Sequence, residues 1–156
     1  MKPSAKAITI YNKKLLLILR DNFAHIADPN KWNLPGGEVD EGETYEEAIM
    51  REFYEELCIK PKNVKRIGIL EHSDGSKHAL FYIQLDNDEC KSLKLGNEGQ
   101  ELRFFKYDEL KDIELTYNLT KYLALYGDYL KLILEENIDI LAERLGLQAL
   151  DDENAS

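Results

Sequence analysis

Three glutamates dominate the reading of this chain. Glu52, Glu55 and Glu56 stand at i, i+3 and i+4 within GEVDEGETYEEAIMREFYEELCI, residues 37–59. At about 100° per residue, a helix puts all three carboxylates on one narrow stripe. Like charges that close destabilise a bare helix by about 0.2–0.5 kcal/mol per pair, so a positive partner is expected. A hard divalent cation suits the part, because Mg²⁺ takes carboxylate oxygens together with substrate phosphates. Splitting a phosphoanhydride calls for the same parts: phosphate charge neutralised, a water activated, a leaving group held in line. One carboxylate of such a stripe can orient or deprotonate the water. Gly36 and Gly37 let the backbone come close just before the helix, so a carbonyl there could also reach a metal. Arg51, next to Glu52, can hold a neighbouring carboxylate by charge-assisted hydrogen bonds.

A glutamate-rich helix has a plainer reading. Glu47, Arg51 and Glu55 are spaced i, i+4, i+8, the pattern of a solvated salt-bridge ladder. The combination argues against that: a double-glycine turn, Glu43, and an Arg-Glu…Glu-Glu cluster in one register. The elements around it can be read in outline. Residues 5–11 and 14–19 predict two β-strands joined at Asn12-Lys13, followed by a polar loop over 20–33. The helix is expected over 44–57, with Thr44 and Glu47 as a capping box and Ile49, Phe53 and Leu57 as its apolar stripe. Two more strands are expected at 64–71 and 78–85 around Ser73-Asp74-Gly75-Ser76, a hairpin signal. Residues 86–99 read as a loop, 101–106 as a short strand, and 107–110 as the start of a turn. From Leu119, apolar residues recur at helical spacing through Ile133. A shorter helix is expected over 138–145, with Asn137 as its N-cap and Gly146 as its stop. Strands on both sides of a central helix, with another helix behind, imply an α/β (α+β) fold: a mixed sheet between helical layers. Residues 1–134 are expected to form the main domain and 135–156 a C-terminal helical extension with an acidic, disordered tail.

With 156 residues the chain is long enough for one domain with a sizeable core. Thirty acidic against twenty basic residues give a net charge of −10. That balance argues against a nucleic-acid polymer as partner, which needs a basic face, but leaves room for a nucleotide held through a metal. The two cysteines, Cys58 and Cys90, form no paired framework, as expected of a reducing cytosol. No apolar run reaches the about 18 residues of a membrane span, and the N-terminus does not read as a signal peptide. The expectation is a soluble, cytoplasmic protein of unspecified oligomeric state.

Gly37, Glu43, Arg51, Glu52, Phe53, Glu55, Glu56 and Ile59 fit the pattern G-x5-E-x7-R-E-U-x-E-E-x-G-U, with U a bulky apolar residue. The segment therefore resembles the Nudix box. One element departs: the motif glycine is Cys58 here, where the helix should close in the left-handed conformation that glycine tolerates. Cys58 is either a reactive thiol or, as expected, a half-buried structural residue. The resemblance implies a sheet-and-helix sandwich, Mg²⁺ with Mn²⁺ as a possible substitute, and hydrolysis of a nucleoside diphosphate linked to another group. It also implies Glu52, Glu55 and Glu56 as metal ligands, with Glu52 a candidate base. Gly36 would offer its carbonyl, and Arg51 with Glu43 would tie the loop to the helix.

Outside the box the chain is similar to the MutT-type branch, which cleaves ordinary or oxidised nucleoside triphosphates, such as 8-oxo-dGTP, to monophosphates. Arg20 and His25 resemble that branch's arginine and histidine before the glycine turn. Lys77-His78, after the hairpin, sits where the branch has a basic residue near the phosphates or base. Glu98 matches a loop that supplies a further metal-binding or catalytic carboxylate. Asn118 lies where an asparagine reads the purine edge, giving a donor and an acceptor. Each has a plainer role: Asn118 as a helix N-cap, Glu98 as a loop carboxylate, the histidines as surface residues, and Trp32 as packing rather than a stacking platform. The tyrosines of the C-terminal helix read as core. ADP-ribose or dinucleoside polyphosphates are alternative substrates, and a non-catalytic nucleotide sensor is the rival outside enzymes.

Overall fold

A computed structural model describes residues 2–71 and 74–148. Its centre is β1 (Ser4–Tyr11), a mostly apolar strand buried on both faces apart from Lys6 and Tyr11. Asn12 and Lys13, with φ of 51° and 61°, turn the chain tightly into β2 (Lys14–Leu19), as a two-residue hairpin requires. The C-terminal end of β1 pairs with β2 and its N-terminal end with β4 (Gly36–Glu38), both antiparallel. Along its length it also runs parallel to β6 (Lys77–Gln84), from Ser4↔His78 to Ile10↔Gln84. β5 (Val64–Glu71) flanks β6, while β3 (Trp32–Asn33) and β7 (Glu101–Phe105) pair with β2. The result is a mixed seven-stranded sheet.

Strand alternation divides the apolar residues between two cores. Ala5, Ala7, Leu16 and Ile18 face Ile49, Phe53 and Leu57 of α1 (Tyr45–Leu57). Ile8, Ile10, Leu15 and Leu17 face Leu130, Ile133 and Leu134 of α3 (Tyr117–Glu136). The expected sheet between helical layers is therefore present. Among the described residues no helix is long and apolar enough to cross a membrane.

α1 starts as its sequence dictates. The Thr44 hydroxyl accepts from Glu47 N–H at 3.1 Å, and the Glu47 carboxylate accepts from Thr44 N–H at 3.0 Å. It ends at Cys58 in the left-handed conformation, φ 64° and ψ 20°, whose N–H donates to Tyr54 O at 2.9 Å. The helix closes as glycine would close it, but Cys58 is exposed rather than half-buried.

Several expectations change. Residues 86–99 contain a short helix, α2 (Asn87–Ser92), capped reciprocally by Asp86 and Glu89. The polar loop over 20–33 ends in β3, because Trp32 pairs with Leu19 and bridges to Leu115. The turn at 107 is a 3-10 helix, Tyr107–Asp112. α3 begins two residues early, with Thr116 in the N-cap position, so Asn118 is not the cap. At its other end Asn137 adopts φ 51° and closes α3 instead of opening a new helix. The expected helix over 138–145 shrinks to a 3-10 turn, Ala142–Leu145, stopped by Gly146 as expected. The Tyr129 hydroxyl donates to Asp139 O at 2.7 Å and accepts from Leu141 N–H at 2.8 Å. A side chain thus satisfies backbone groups that a helix would otherwise pair. Gln148 then exchanges two 2.9 Å bonds with Ile69, fastening this segment to β5. His72, Ser73 and the tail over 151–156 lie outside the described residues.

A non-glycine residue held left-handed costs about 1 kcal/mol or more. Cys58→Gly should therefore raise unfolding stability by about 0.5–1 kcal/mol in urea denaturation, with the slope unchanged. A loss of stability would show that the cysteine side chain contributes packing that outweighs the backbone strain.

Candidate active site

The site is built where the β4 turn meets α1. Gly36 has φ +127°, and a Cβ there would stand 2.1 Å from Ala5 O. Only glycine lets β4 approach β1 this closely. At Gly37 a Cβ would stand 2.6 Å from Glu52 Cδ, so the missing side chain makes room for that carboxylate.

Arg51 organises the acidic groups around it. Its guanidinium grips Glu43 with two bonds, Nε to Oε2 at 2.7 Å and Nη2 to Oε1 at 3.0 Å. Nη2 also donates to Glu38 O at 3.0 Å, and Nη1 to Glu52 Oε1 at 2.9 Å and Glu55 Oε2 at 3.3 Å. One side chain thus ties loop 38–43 to α1 and supplies the counter-charge the glutamate stripe requires. The ladder Glu47–Arg51–Glu55 does not form as such, because Glu47 belongs to the capping box. Arg51 holds the Glu43 carboxyl below its ordinary pKa, and Glu43 in turn raises Arg51.

The three glutamates occupy different environments. Glu55 is exposed and Glu52 half-buried. Burial pushes Glu52 above the usual carboxylate range, against the pull of Arg51. Glu56 lies deepest. Burial raises its pKa to about 7, opposed by Lys6 and by the Gly36 N–H, which donates to Glu56 Oε1 at 2.7 Å. Among the described residues no three acidic, histidine or cysteine side chains converge on one point as a finished cation cage. The donor set still suits a hard cation: Glu52 and Glu56 are carboxylates raised by burial, which a nearby dication would return to the charged form. Glu98 lies on an exposed loop whose charge bears on Glu56. That loop docks on the end of α1 through Gly96 N–H to Glu56 O, 2.8 Å.

Beside this cluster, between the sheet and α3, lies a cavity of about 450 Å³, within the range of small-molecule sites. Arg20 and Asn118 both line it. Arg20 Nε is held by Ala27 O at 3.0 Å. His25 and Lys77 are not in the lining. His25 stacks on Phe23 with centroids 5.6 Å apart, and Lys77 is exposed opposite Glu71 at the start of β6. The next residue, His78, lines the cavity instead and shares a 2.7 Å hydrogen bond with the Ser4 hydroxyl. Trp32 is buried edge-on against Phe105, a packing role. Tyr129 is core, whereas Tyr122 and Tyr126 line the cavity and Tyr117 is exposed. Lys6 is a lining residue that sequence reasoning missed. Its signal was a lone cation inside an apolar strand.

Residues 1–126 match the NUDIX domain. The chain is similar to the 8-oxo-dGTP diphosphatase of Escherichia coli K12, 33% identical over 89 residues, covering 57% of this chain and 67% of that protein. It is also similar to the ADP-ribose pyrophosphatase of Methanocaldococcus jannaschii, 34% identical over 103 residues, covering 64% of this chain and 58% of that protein. A crystal structure of a MutT NUDIX hydrolase from Burkholderia pseudomallei shares the fold, with a TM-score of 0.63 at 24% identity, covering 77% of this chain and 93% of that one. A family match over most of the chain, on a sheet and helix carrying an intact carboxylate stripe, leaves one assignment: the chain belongs to the NUDIX family and is a MutT-like Nudix hydrolase.

Proposed function

We propose that the protein hydrolyses a (deoxy)nucleoside triphosphate, an oxidised purine such as 8-oxo-dGTP included, to the monophosphate and pyrophosphate, with Mg²⁺ as its cation. One observation carries this reading: Lys6, which donates to the carbonyl of Gly36 while the Gly36 amide holds Glu56, also lines a cavity of nucleoside size. Glu52, Glu55, Glu56, Glu98 and the Gly36 carbonyl would hold the ion. When bound, it neutralises phosphate charge and activates the attacking water. The chain's own residues do the rest. Arg51, braced by Glu43, keeps Glu52 and Glu55 in one register. Arg20 brings positive charge to the cavity, and Asn118 an amide suited to a purine edge. The apolar wall of Leu80, Leu119, Tyr122 and Leu147 suits a base. The similarity to an 8-oxo-dGTP diphosphatase supports a triphosphate. That to an ADP-ribose pyrophosphatase supports ADP-ribose as the second candidate. The free cysteines suit the reducing cytoplasm in which such substrates occur.

Catalytic efficiency across canonical and oxidised triphosphates, ADP-ribose and dinucleoside polyphosphates, each with Mg²⁺ or Mn²⁺, should peak on a triphosphate and vanish with chelator. A peak on ADP-ribose would move the assignment to the second candidate. Glu55→Gln and Glu56→Gln should each lower kcat/KM by on the order of 100-fold while leaving a cooperative melt. Full metal-dependent turnover in both would remove the glutamates from the reaction.

Glu43→Gln tests the brace. The Glu43 pKa is depressed in the fold, so its stabilisation is complete above the ordinary carboxylate range. It is lost as pH falls through the lowered value. The variant should lose about 1–2 kcal/mol at pH 7, for two charge-assisted bonds discounted for solvent. It should also lose less further stability than wild type between pH 6 and pH 3. Parallel melting curves across that range would contradict the brace.

A further inference from the structure

Lys6 is unexpected where it stands. On β1 it occupies the row of Ile8 and Ile10, which pack into the α3-side core. Charged residues in such rows are rare unless something pairs with them. Lys6 Nζ donates to Gly36 O at 3.2 Å, and its charge is felt by Glu56 and Glu52 on α1. The same side chain lines the cavity with Arg20. Lys6 therefore touches both halves of the site, with the carboxylate helix on one side and the nucleoside-sized cavity on the other.

An ammonium has three donors, and a backbone carbonyl takes one. Burial disfavours the Lys6 charge, Glu56 supports it, and Arg20 adds to the penalty; with Lys121 also in the lining, three cations share one partly enclosed space. Of the acidic groups, Asp28 also lines the cavity, but it is engaged by Tyr117 N–H at 3.2 Å and by Lys31 at 3.8 Å. The cavity side of Lys6 is thus suited to an anion. A nucleotide with its base against Leu119, Tyr122 and Leu147 and its outer phosphates at α1 must pass its first phosphate between the two regions, where Lys6 sits.

Resting on the nucleotide reading above, we propose that Lys6 is a substrate-binding residue that takes a non-bridging oxygen of the phosphate nearest the ribose, at the junction of cavity and carboxylates. It is then a group that helps distinguish a nucleotide from a nucleoside, independently of any metal.

The test is calorimetry in chelator, with the four common deoxynucleosides and their 5′-monophosphates, on wild type, Lys6→Met and Lys6→Arg. Wild type should bind its best monophosphate about tenfold more tightly than the matching nucleoside, the scale of one charge-assisted contact. Lys6→Met should reduce that ratio to below about threefold while nucleoside affinity stays within about twofold; Lys6→Arg should keep most of it. If Lys6→Met loses its cooperative melt, the comparison rests on Lys6→Gln and Lys6→Arg. An unchanged ratio without the lysine would overturn the proposal, as would equal weakening of nucleoside and monophosphate, which marks a structural role. Wild type binding every nucleotide no better than its nucleoside would overturn it too. Binding of neither would remove the nucleotide reading along with it.

Discussion

The guanidinium of Arg51 is the constraint on which the rest depends. Five acceptors from loop 38–43 and α1 hydrogen-bond to it: the Glu38 carbonyl, both Glu43 oxygens, and one oxygen each from Glu52 and Glu55, with Asp40 Oδ2 3.4 Å from Nε. Without a cation among them, the glutamates would repel by a few tenths of a kcal/mol per pair on an exposed helix, and by more where water is partly excluded. A charge-assisted hydrogen bond is worth about 1.5–3 kcal/mol, so the arginine outweighs that repulsion. Lysine could not replace it, because a point charge cannot meet Glu43 with two parallel bonds and still reach three other acceptors.

Because Arg51 leaves Glu56 to other partners, the stripe is graded in environment. Glu55 faces water, Glu52 is shared between arginine and burial, and Glu56 is held by the Gly36 amide and felt by Lys6. A carboxylate in a poorly hydrated place binds a cation more strongly than one in water, since less hydration is given up. The two glycines set this gradient. One brings the β4 backbone against β1 and aims its amide at Glu56, and the other clears the space Glu52 fills.

What could be read from sequence was what is local. The helix start, its left-handed end at Cys58 and the Glu43–Arg51 pairing lie within sixteen residues and follow from spacing and capping chemistry. The β1–β2 hairpin is equally local. The Asp86–Glu89 box that starts α2 was also present, but the polar composition of 86–99 hid it. Asn137 misled for a different reason: asparagine suits an N-cap and a left-handed C-cap alike, and only packing chooses. His25 and Lys77 sit on segments whose side-chain directions depend on distant strands, so adjacency in sequence did not place them in the cavity. Lys6 could be noticed as a charge in an apolar strand, but its meeting with Gly36 depends on β1–β4 pairing across thirty residues.

The same division explains why the family match identifies a reaction more readily than a substrate. The groups proposed for bond cleavage fall mostly between Gly36 and Glu56, one turn and one helix braced by one arginine. The cavity is lined from β1, β5, β6, the loop after β2, α3 and the segment around Leu147, which is beyond the residues the family match covers. That last wall is fixed by its own contacts: the Tyr122 hydroxyl donates to Leu145 O at 2.8 Å, and Gln148 pairs with Ile69. A change in the loop after β2, in α3 or in the segment around Leu147 reshapes what fits against Leu119 and Tyr122 without touching Arg51 or its carboxylates. Substrate choice and hydrolytic machinery are therefore physically separable, and Lys6, which touches both, is where they meet.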